Sequence, residues 1–523
     1  MLNKGSQRYC SPSTLEAVSL SFLPPPTAFD LPHPNWRDGQ EEAIAEALGT
    51  DKQYVALALP TGAGKSLVAM TLAHMEEGRT AIITSTKALQ RQYSTVFSHL
   101  SDIRGKANYP CEVISPGGEY YDKHSSLRDR NCDLGPCTLD YDCKLKVDGC
   151  SYFDTLRRAL KGTMVLTNYA YWLSSHYFGD GLGKFGLVVI DEAHAGPSSL
   201  AGFFNTTLTA SDLSISPSLP PTSLDPLEWA SWARGISLPL QGTREQEKLK
   251  SKITRLQTMD KQWIVDDDTG NCEFAFDPRT PVRYADHLFQ DIPKVVLVSA
   301  TVRPKTCELL GIDSDDLHFF EAGNSFPVKN RRLIHIPTVR VNYETTPEQL
   351  RLWCTRIDQI ISGRLDRKGI LHTVSYSRAR FFARNSKHKA ILITHGSADT
   401  GAAIERVKKA DAPAVLVSPA TPTGYDFPDS ECRFQIIGKI PFPPTQSKIM
   451  KARCKDDKEL SMFLAMQELV QMVGRGVRSV DDWCENLLVD DSTWFLHKWK
   501  RFSPSWFLDG YRSVTTIPTP PKI

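Results

Sequence analysis

The segment Pro60-Thr61-Gly62-Ala63-Gly64-Lys65-Ser66 joins small, turn-forming residues to a lysine and a hydroxyl. That combination suits a polyphosphate. Backbone N–H groups of a glycine-rich turn point inward, the following helix adds the positive end of its dipole, and Lys65 can reach the β- and γ-phosphates of ATP. Ser66 offers its hydroxyl to Mg2+. Downstream, Asp191-Glu192-Ala193-His194 places two adjacent carboxylates before an imidazole. Asp191 would hold Mg2+ and Glu192 would orient the attacking water. On its own the acidic pair reads equally well as a solvated turn, and the phosphate loop in the same chain weighs against that. A third segment is Gln471-Met472-Val473-Gly474-Arg475-Gly476-Val477-Arg478. Gln467 and Gln471 lie one helical turn apart, as do Arg475 and Arg478. An arginine delivered across a cleft stabilises transition-state charge in phosphoryl transfer, worth about 10³–10⁵ in rate. A solvated basic face is the plain alternative for a Gly-Arg-x-x-Arg run, and a position in a second α/β domain favours the catalytic reading.

Between the two ATP segments lie Cys111, Cys132, Cys137, Cys143 and Cys150. Four thiolates can hold a cubane 4Fe-4S cluster or a tetrahedral Zn2+, and the spacing does not choose between them. Five unrelated core thiols are the alternative. The neighbours Arg130, Asp133, Asp142, Lys144 and Asp148 offer little apolar core for that. A polar, loop-rich segment of this size needs a staple to stay folded.

These groups need elements to position them. Apolar runs at Tyr54–Leu59, Thr80–Thr84, Met164–Thr167, Leu187–Ile190 and Val295–Ser299 each end at a polar or small residue and are separated by helix-length segments. Continuous apolar strands of this kind form a parallel sheet covered on both faces. Chemistry then sits at the carboxyl ends of the strands. A second series, Gly369–Val374, Ala390–Thr394, Ala414–Ser418, Phe434–Gly438 and Asn486–Val489, implies a second domain of similar design. Residues 196–290 are Pro-rich at first. They then carry a helical face of Leu249, Ile253 and Leu256 and an alternating strand, Cys272–Phe276.

The bulk numbers set outer bounds. The chain has 523 residues, 41 % hydrophobic and 23 % charged, ordinary for globular protein. Its net charge of +2 makes no overall polyanion binder, although a groove can be basic while the outside is neutral. No stretch reaches the roughly 18 apolar residues of a membrane span. The first residues lead into no signal-peptide core, so a cytoplasmic, reducing setting is expected and disulfides are not.

Over residues 36–500 these segments resemble the superfamily 2 helicases, specifically the XPD/DinG branch of iron–sulfur DNA helicases with a DEAH box. Arg37-Asp38-Gly39-Gln40 is similar to the motif that contacts adenine. Thr84-Ser85-Thr86-Lys87 is similar to motif Ia, a strand-phosphate contact. Thr167-Asn168-Tyr169-Ala170-Tyr171-Trp172 resembles the Asn-Tyr-x-Tyr-Leu segment of the branch, with Trp172 in place of Leu. Ser299-Ala300-Thr301 resembles the coupling motif III, and Ser375-Tyr376 resembles motif IV. Gly424-Tyr425-Asp426-Phe427-Pro428 resembles motif V, with Thr423 where the branch usually has Glu. The loop departs from the strict phosphate-loop pattern at Leu59, a departure that helicase loops tolerate.

The resemblance implies an α/β fold of two RecA-like parallel-sheet domains in tandem. The expected organisation is a lead-in (1–36), a first motor domain (37–335) with a cysteine-rich insertion (105–160) and an arch-like insertion (196–290), a second motor domain (336–510) and a tail (511–523). It implies ATP, Mg2+ and a 4Fe-4S cluster on Cys111, Cys137, Cys143 and Cys150, with Cys132 in reserve. Lys65, Asp191, Glu192, Gln471, Arg475 and Arg478 would be catalytic. Arg37, Gln40, Pro60–Ser66 and Asp426 would hold ATP, and His194, Ser299, Ala300, Thr301 and Gly424 would couple. Single-stranded and forked DNA are the implied partners of a monomer moving 5′→3′. Thr84, Thr86, Lys87, Ser375 and Tyr376 would contact the strand, with Tyr169, Tyr171 and Trp172 as a stacking platform. The plain alternative for these aromatics is packing between an insertion and its host. Two rival functions stand beside this one: a DEAH-type RNA remodeller, and a redox-sensing DNA-binding protein that uses ATP as a switch.

Overall fold

The computed structural model describes residues 23–121, 129–139, 142–238, 243–267, 273–419, 425–444 and 447–522. Cys272 and Gly424 fall outside them. In the first part of the chain the apolar runs fold as β1 (Tyr54–Ala58), β2 (Thr80–Thr84), β3 (Ser101–Asp102), β4 (Met164–Asn168) and β5 (Leu187–Asp191). An inserted segment holds β6 (Thr206–Leu208), β7 (Trp263–Asp266) and β8 (Phe274–Pro278). Then come β9 (Lys294–Ser299) and β10 (Leu317–Glu321). The first sheet runs β10-β1-β9-β5-β2-β4-β3, and its paired strands are parallel.

Strand alternation explains why these runs are apolar throughout. Val55, Leu57, Ile82, Val189 and Val298 face one core, with the helices Gln40–Gly49 and Lys65–Met75. Ala56, Ile83, Val188 and Leu297 face the other, which also takes in side chains of both insertions. With both faces covered, neither set can be polar. In register, Ala58 pairs with Ser299 and Thr84 with Asn168, and Asp191 pairs with Val298 one position short of Ser299. The polar segments therefore share one edge of the sheet.

The cysteine-rich insertion consists of short 3-10 turns, such as Glu112–Ile114, Cys132–Leu134 and Lys144–Lys146, leading into the helix Ser151–Lys161. The later insertion packs its helices against the antiparallel sheet β6-β8-β7. Its helix Arg244–Gln257 buries Leu249, Ile253 and Leu256, the face its spacing predicts.

The second sheet contains β11 (Leu333–Val339), β12 (Lys368–His372), β13 (Leu392–Thr394), β14 (Ala414–Ser418), β15 (Phe434–Ile437), β16 (Glu485–Asp490) and β17 (Tyr511–Ser513). Its order is β13-β14-β12-β15-β16-β11-β17, again parallel. This corrects the expected boundaries. β11 crosses position 335/336 and belongs wholly to the second sheet, and β17 joins that sheet from the stretch read as a tail. Neither strand has a continuous apolar run: β11 carries His335 and Pro337, and β17 is Tyr511-Arg512-Ser513 on the sheet edge. Strand β10 was missed for the same reason, being half-buried along its length. Among the described residues no helix is long and apolar enough to cross a membrane.

Candidate active site

A cleft of about 550 Å³ lies between the two sheets. The first domain lines it with Arg37, Gln40, Thr61, Gly62, Gly64, Lys65, Ser66, Asp191 and Glu192, and the second with Asp426, Gln471, Arg475 and Arg478. The loop after β1 is shaped by two left-handed glycines, Gly62 (φ 83°) and Gly64 (φ 78°). A Cβ on Gly64 would lie 2.4 Å from Gln40 Nε2, and one on Gly62 would lie 2.7 Å from the Phe326 ring. The loop also closes on itself, Ala63 N donating to Pro60 O at 3.1 Å. Arg37 and Gln40 brace it: Arg37 Nη1 donates to Gly62 O at 2.7 Å, and Gln40 Nε2 donates to Ala63 O at 2.7 Å.

Asp191 ends β5 at 3 % exposure, and Tyr93 donates its hydroxyl proton to Oδ2 at 2.8 Å. Glu192 follows in the left-handed region (φ 54°), an unfavourable conformation of the kind that gathers at functional sites. Its Oε1 lies 3.7 Å from Lys65 Nζ. Burial, with the charge of Glu192 beside it, raises the Asp191 carboxyl to about 6. Burial acts on Glu192 in the same direction, but Lys65, His194 and Ser299 outweigh it and hold that carboxyl well below the usual range. At neutral pH both groups are anionic beside Lys65, a fitting arrangement for a bound divalent cation.

From Glu192 a polar network reaches the second domain. Glu192 Oε2 is 3.2 Å from His194 Nδ1, and His194 Nδ1 is 2.8 Å from Ser299 Oγ. Gln471 Nε2 donates to Thr301 Oγ1 at 2.9 Å and lies 3.5 Å from His194 Nδ1. Gln467 Nε2 donates to Thr301 O at 2.7 Å. Ala300 is buried between the two hydroxyl residues. Arg475 is 5 % exposed and donates to Tyr425 O at 3.2 Å, while Arg478 bonds the Asp426 carboxylate. A Cβ on Gly474 would lie 3.0 Å from Thr61 Oγ1, so the phosphate loop and the arginine segment nearly touch.

The five cysteines converge. Cys132 is buried, with its Sγ 3.9 Å from Cys150 Sγ, and its hydrogen bond to Cys111 lowers the Cys111 thiol to about 6. Gly135 forms a cradle beside them: a Cβ there would lie 2.9 Å from Cys111 Sγ and 3.8 Å from Cys137 Sγ. Cys143 is half-buried and near enough to Cys137 to act on its charge. All five thiols are free. As folded here, no three or more His, Cys, Asp or Glu side chains among the described residues are set around a metal-sized point. The donor chemistry and the glycine cradle nonetheless suit a thiolate-held group.

The expected strand contacts divide. Lys87 and Tyr376 are exposed, each opening a helix capped by the residue before it, Thr86 and Ser375. Val374, just upstream, is a β-branched residue at φ 60°. Thr84 is fully buried with its hydroxyl on Thr167 O, so it offers no strand contact. The stacking platform fails as well. Tyr169 and Trp172 are 3 % and 1 % exposed, and the Tyr171 hydroxyl meets that of Tyr152 at 3.1 Å, at the seam between the insertion and its host. Trp172 packs against the rings of His176 at 4.2 Å and Phe185 at 5.5 Å, and burial of such large surface outweighs display.

Sequence reading missed Tyr93 and Trp36 in the cleft and Phe326 against Gly62 of the loop. Tyr93 and Phe326 carried no periodic signal. Trp36 lay in the stretch set aside as a lead-in. Gln467 was visible from its spacing to Gln471 but had no partner until Thr301 was placed.

Residues 37–205 match the DEAD/DEAH box helicase family, and residues 366–507 match the helicase C-terminal domain. Among solved structures, an XPD helicase is similar with a TM-score of 0.63 at 16 % identity, over 92 % of this chain and 100 % of that one. S. tokodaii Xpd4 is similar with a TM-score of 0.59 at 13 % identity, over 91 % of this chain and 99 % of that one. No curated protein matches the chain.

Proposed function

This chain is an ATP-dependent helicase carrying the DEAD/DEAH box and helicase C-terminal domains on the fold of the XPD helicases, and from that premise we propose that it moves along single-stranded DNA, 5′→3′, and unwinds duplex ahead of it. The supporting observation is the single cleft to which both domains contribute: Lys65, Asp191 and Glu192 from one, Gln471, Arg475 and Arg478 from the other. Lys65 takes the β- and γ-phosphates, and Ser66 and Asp191 would hold Mg2+, which would neutralise phosphate charge. Glu192 positions the attacking water, and Arg475 and Arg478 stabilise the charge that builds on the transferred phosphoryl group. Arg37 and Gln40 hold the loop and the adenine side. Hydrolysis removes the γ-phosphate that joins the two lobes, and the change reaches the strand through His194, Ser299 and the Thr301–Gln471 bond.

The domain plan under this reading is a first motor domain from residue 37 to just before Leu333, carrying both insertions, and a second from Leu333 through Ser513. Cys111, Cys137, Cys143 and Cys150 would hold a 4Fe-4S cluster, which would tie the polar insertion together. The contacts of Cys132 with Cys111 and Cys150 make the reserve thiol a full competitor for one of the four positions.

A Lys65→Ala variant should lose ATP turnover and, with it, unwinding of a forked DNA. Unchanged ATPase would remove the mechanism. Strand-stimulated turnover with RNA but not DNA would transfer the chain to the RNA remodellers.

A further inference from the structure

Three polar side chains lie inside the apolar core of the second sheet, beneath the end of the helix Leu460–Val473. His372 closes β12, Gln435 is in β15 and Asn486 in β16, and each is 0 % exposed. In register Gln435 pairs with Ile370 on one side and with Asn486 on the other. The three side chains form one run of hydrogen bonds. His372 Nε2 donates to Gln435 Oε1 at 2.9 Å. Gln435 Nε2 donates to Asn486 Oδ1 at 2.9 Å and to Val473 O at 3.3 Å. Asn486 Nδ2 donates to Arg332 O at 3.1 Å. Burial lowers the His372 imidazole to about 4, so the ring is neutral near pH 7 and keeps its proton on the nitrogen that faces the amide oxygen.

Val473 is the last residue of its helix, and Arg475 follows two positions on. The last four carbonyls of a helix have no partner of the usual kind within it, and Gln435 serves one of them from the sheet below. The same amide backs the chain beyond the arginine. A Cβ on Gly476 would lie 3.5 Å from Gln435 Nε2 and 2.5 Å from Cys484 Sγ, so the backbone there rests on the sheet. Gln435 therefore supports the chain on both sides of Arg475. An apolar side chain of the same volume would pack in this core without needing partners. A fully bonded polar network fixes one arrangement of whatever it touches. Here it touches the backbone that aims Arg475, whose guanidinium donates to Tyr425 O at 3.2 Å.

We propose that Gln435 is a positioning residue for Arg475: it pins the helix end and the turn that follows, with His372 fixing its amide, so that the guanidinium is aimed at the transferred phosphoryl group. This rests on the role given to Arg475 above. Among the described residues that line the cleft Gln435 is not one, so it acts through the arginine.

The test is hydrolysis of radiolabelled ATP by the full chain with oligothymidine, in steady state for kcat and KM and in single turnover for slow variants. Gln435→Met keeps the volume and removes the amide. It should lower kcat about tenfold and leave KM within about twofold. Arg475→Lys supplies the other corner of a double-mutant cycle. Adding Gln435→Met to Arg475→Lys should change turnover by less than about twofold, because the group being positioned is already compromised. A further loss of about tenfold in that background overturns the inference, as does wild-type kcat in a folded Gln435→Met. Ser386→Ala removes a buried bond of the same domain away from the cleft, Ser386 Oγ to Asp358 Oδ1 at 2.5 Å, and should leave kcat unchanged. An equal loss there would reduce Gln435 to general support of the domain and overturn the inference too. Thermal melts identify any unfolded variant, and Gln435→Asn, one methylene shorter and out of reach of Val473 O, carries the same cycle if Gln435→Met does not fold. Wild-type turnover in Arg475→Lys would remove the role of the arginine and this inference with it. A large loss in Arg475→Lys beside unaffected Gln435 variants would remove this inference alone.

Discussion

Gln471 of the second domain donates through Nε2 to Thr301 Oγ1 of the first at 2.9 Å. The same nitrogen lies 3.5 Å from His194, whose ring touches Ser299 and Glu192. One amide therefore joins the carboxylate that would position water to the lobe that must move.

That bond can be removed without touching the phosphate loop. Gln471→Ala should cut strand-stimulated turnover by about tenfold or more, on the scale of a hydrogen bond beside charged groups. Equilibrium binding of ATP should change far less. A parallel loss of binding and turnover would show that Gln471 acts in holding nucleotide and not in coupling.

Arg475 is buried in the cleft wall, with its guanidinium held by Tyr425 O. A lysine there keeps the charge and loses the planar fork. Arg475→Lys should lower turnover by about 10³, the lower end of what a transition-state arginine supplies. Steady-state ATPase at saturating ATP measures it, and near-wild-type turnover would leave the role to Arg478 alone.

Gly135 lets Cys111 and Cys137 approach one another. Gly135→Ala should strip most of the iron and acid-labile sulfide from anaerobically purified protein, as should Cys111→Ser. Cys132→Ser and Cys143→Ser settle the ligand set: the variant that keeps its full iron content carries the spare thiol. Full iron in Cys111→Ser would dismiss the assignment altogether.

The second domain holds a buried ion pair away from the cleft, Arg364 Nε to Glu485 Oε2 at 2.8 Å, with side chains 0 % and 6 % exposed. Glu485→Ala leaves the guanidinium buried and unpaired and should cost about 3–5 kcal/mol. Replacing both residues with apolar ones should recover most of that. Urea unfolding followed by circular dichroism measures the difference, and a loss below about 1 kcal/mol would show that water reaches Arg364.

The motor was legible because its signals are short-range. A glycine-rich loop between an apolar strand and a helix, or a carboxylate pair ending a strand, depends on neighbours in sequence, and burial on both sheet faces makes those strands stand out. Edge strands β10 and β17 lacked that burial on both sides and did not show, and β11, an interior strand, was hidden by His335 and Pro337 breaking its apolar run. The aromatic segment at Tyr169–Trp172 misled, because ring size argues equally for stacking and for burial, and only the packed neighbours decide.

Residue types and spacing by themselves determined which groups could bind a nucleotide triphosphate, which thiols could share an inorganic centre, and that two parallel sheets would carry them. Tertiary structure alone decided who meets whom: Tyr93 with Asp191, Gln471 with Thr301, Cys132 with Cys150, Gln435 with Val473. Such partners are separated by 18 to 170 residues. Their contact depends on how whole sheets and insertions pack, and that packing is set by the summed burial of many side chains, which no local pattern records.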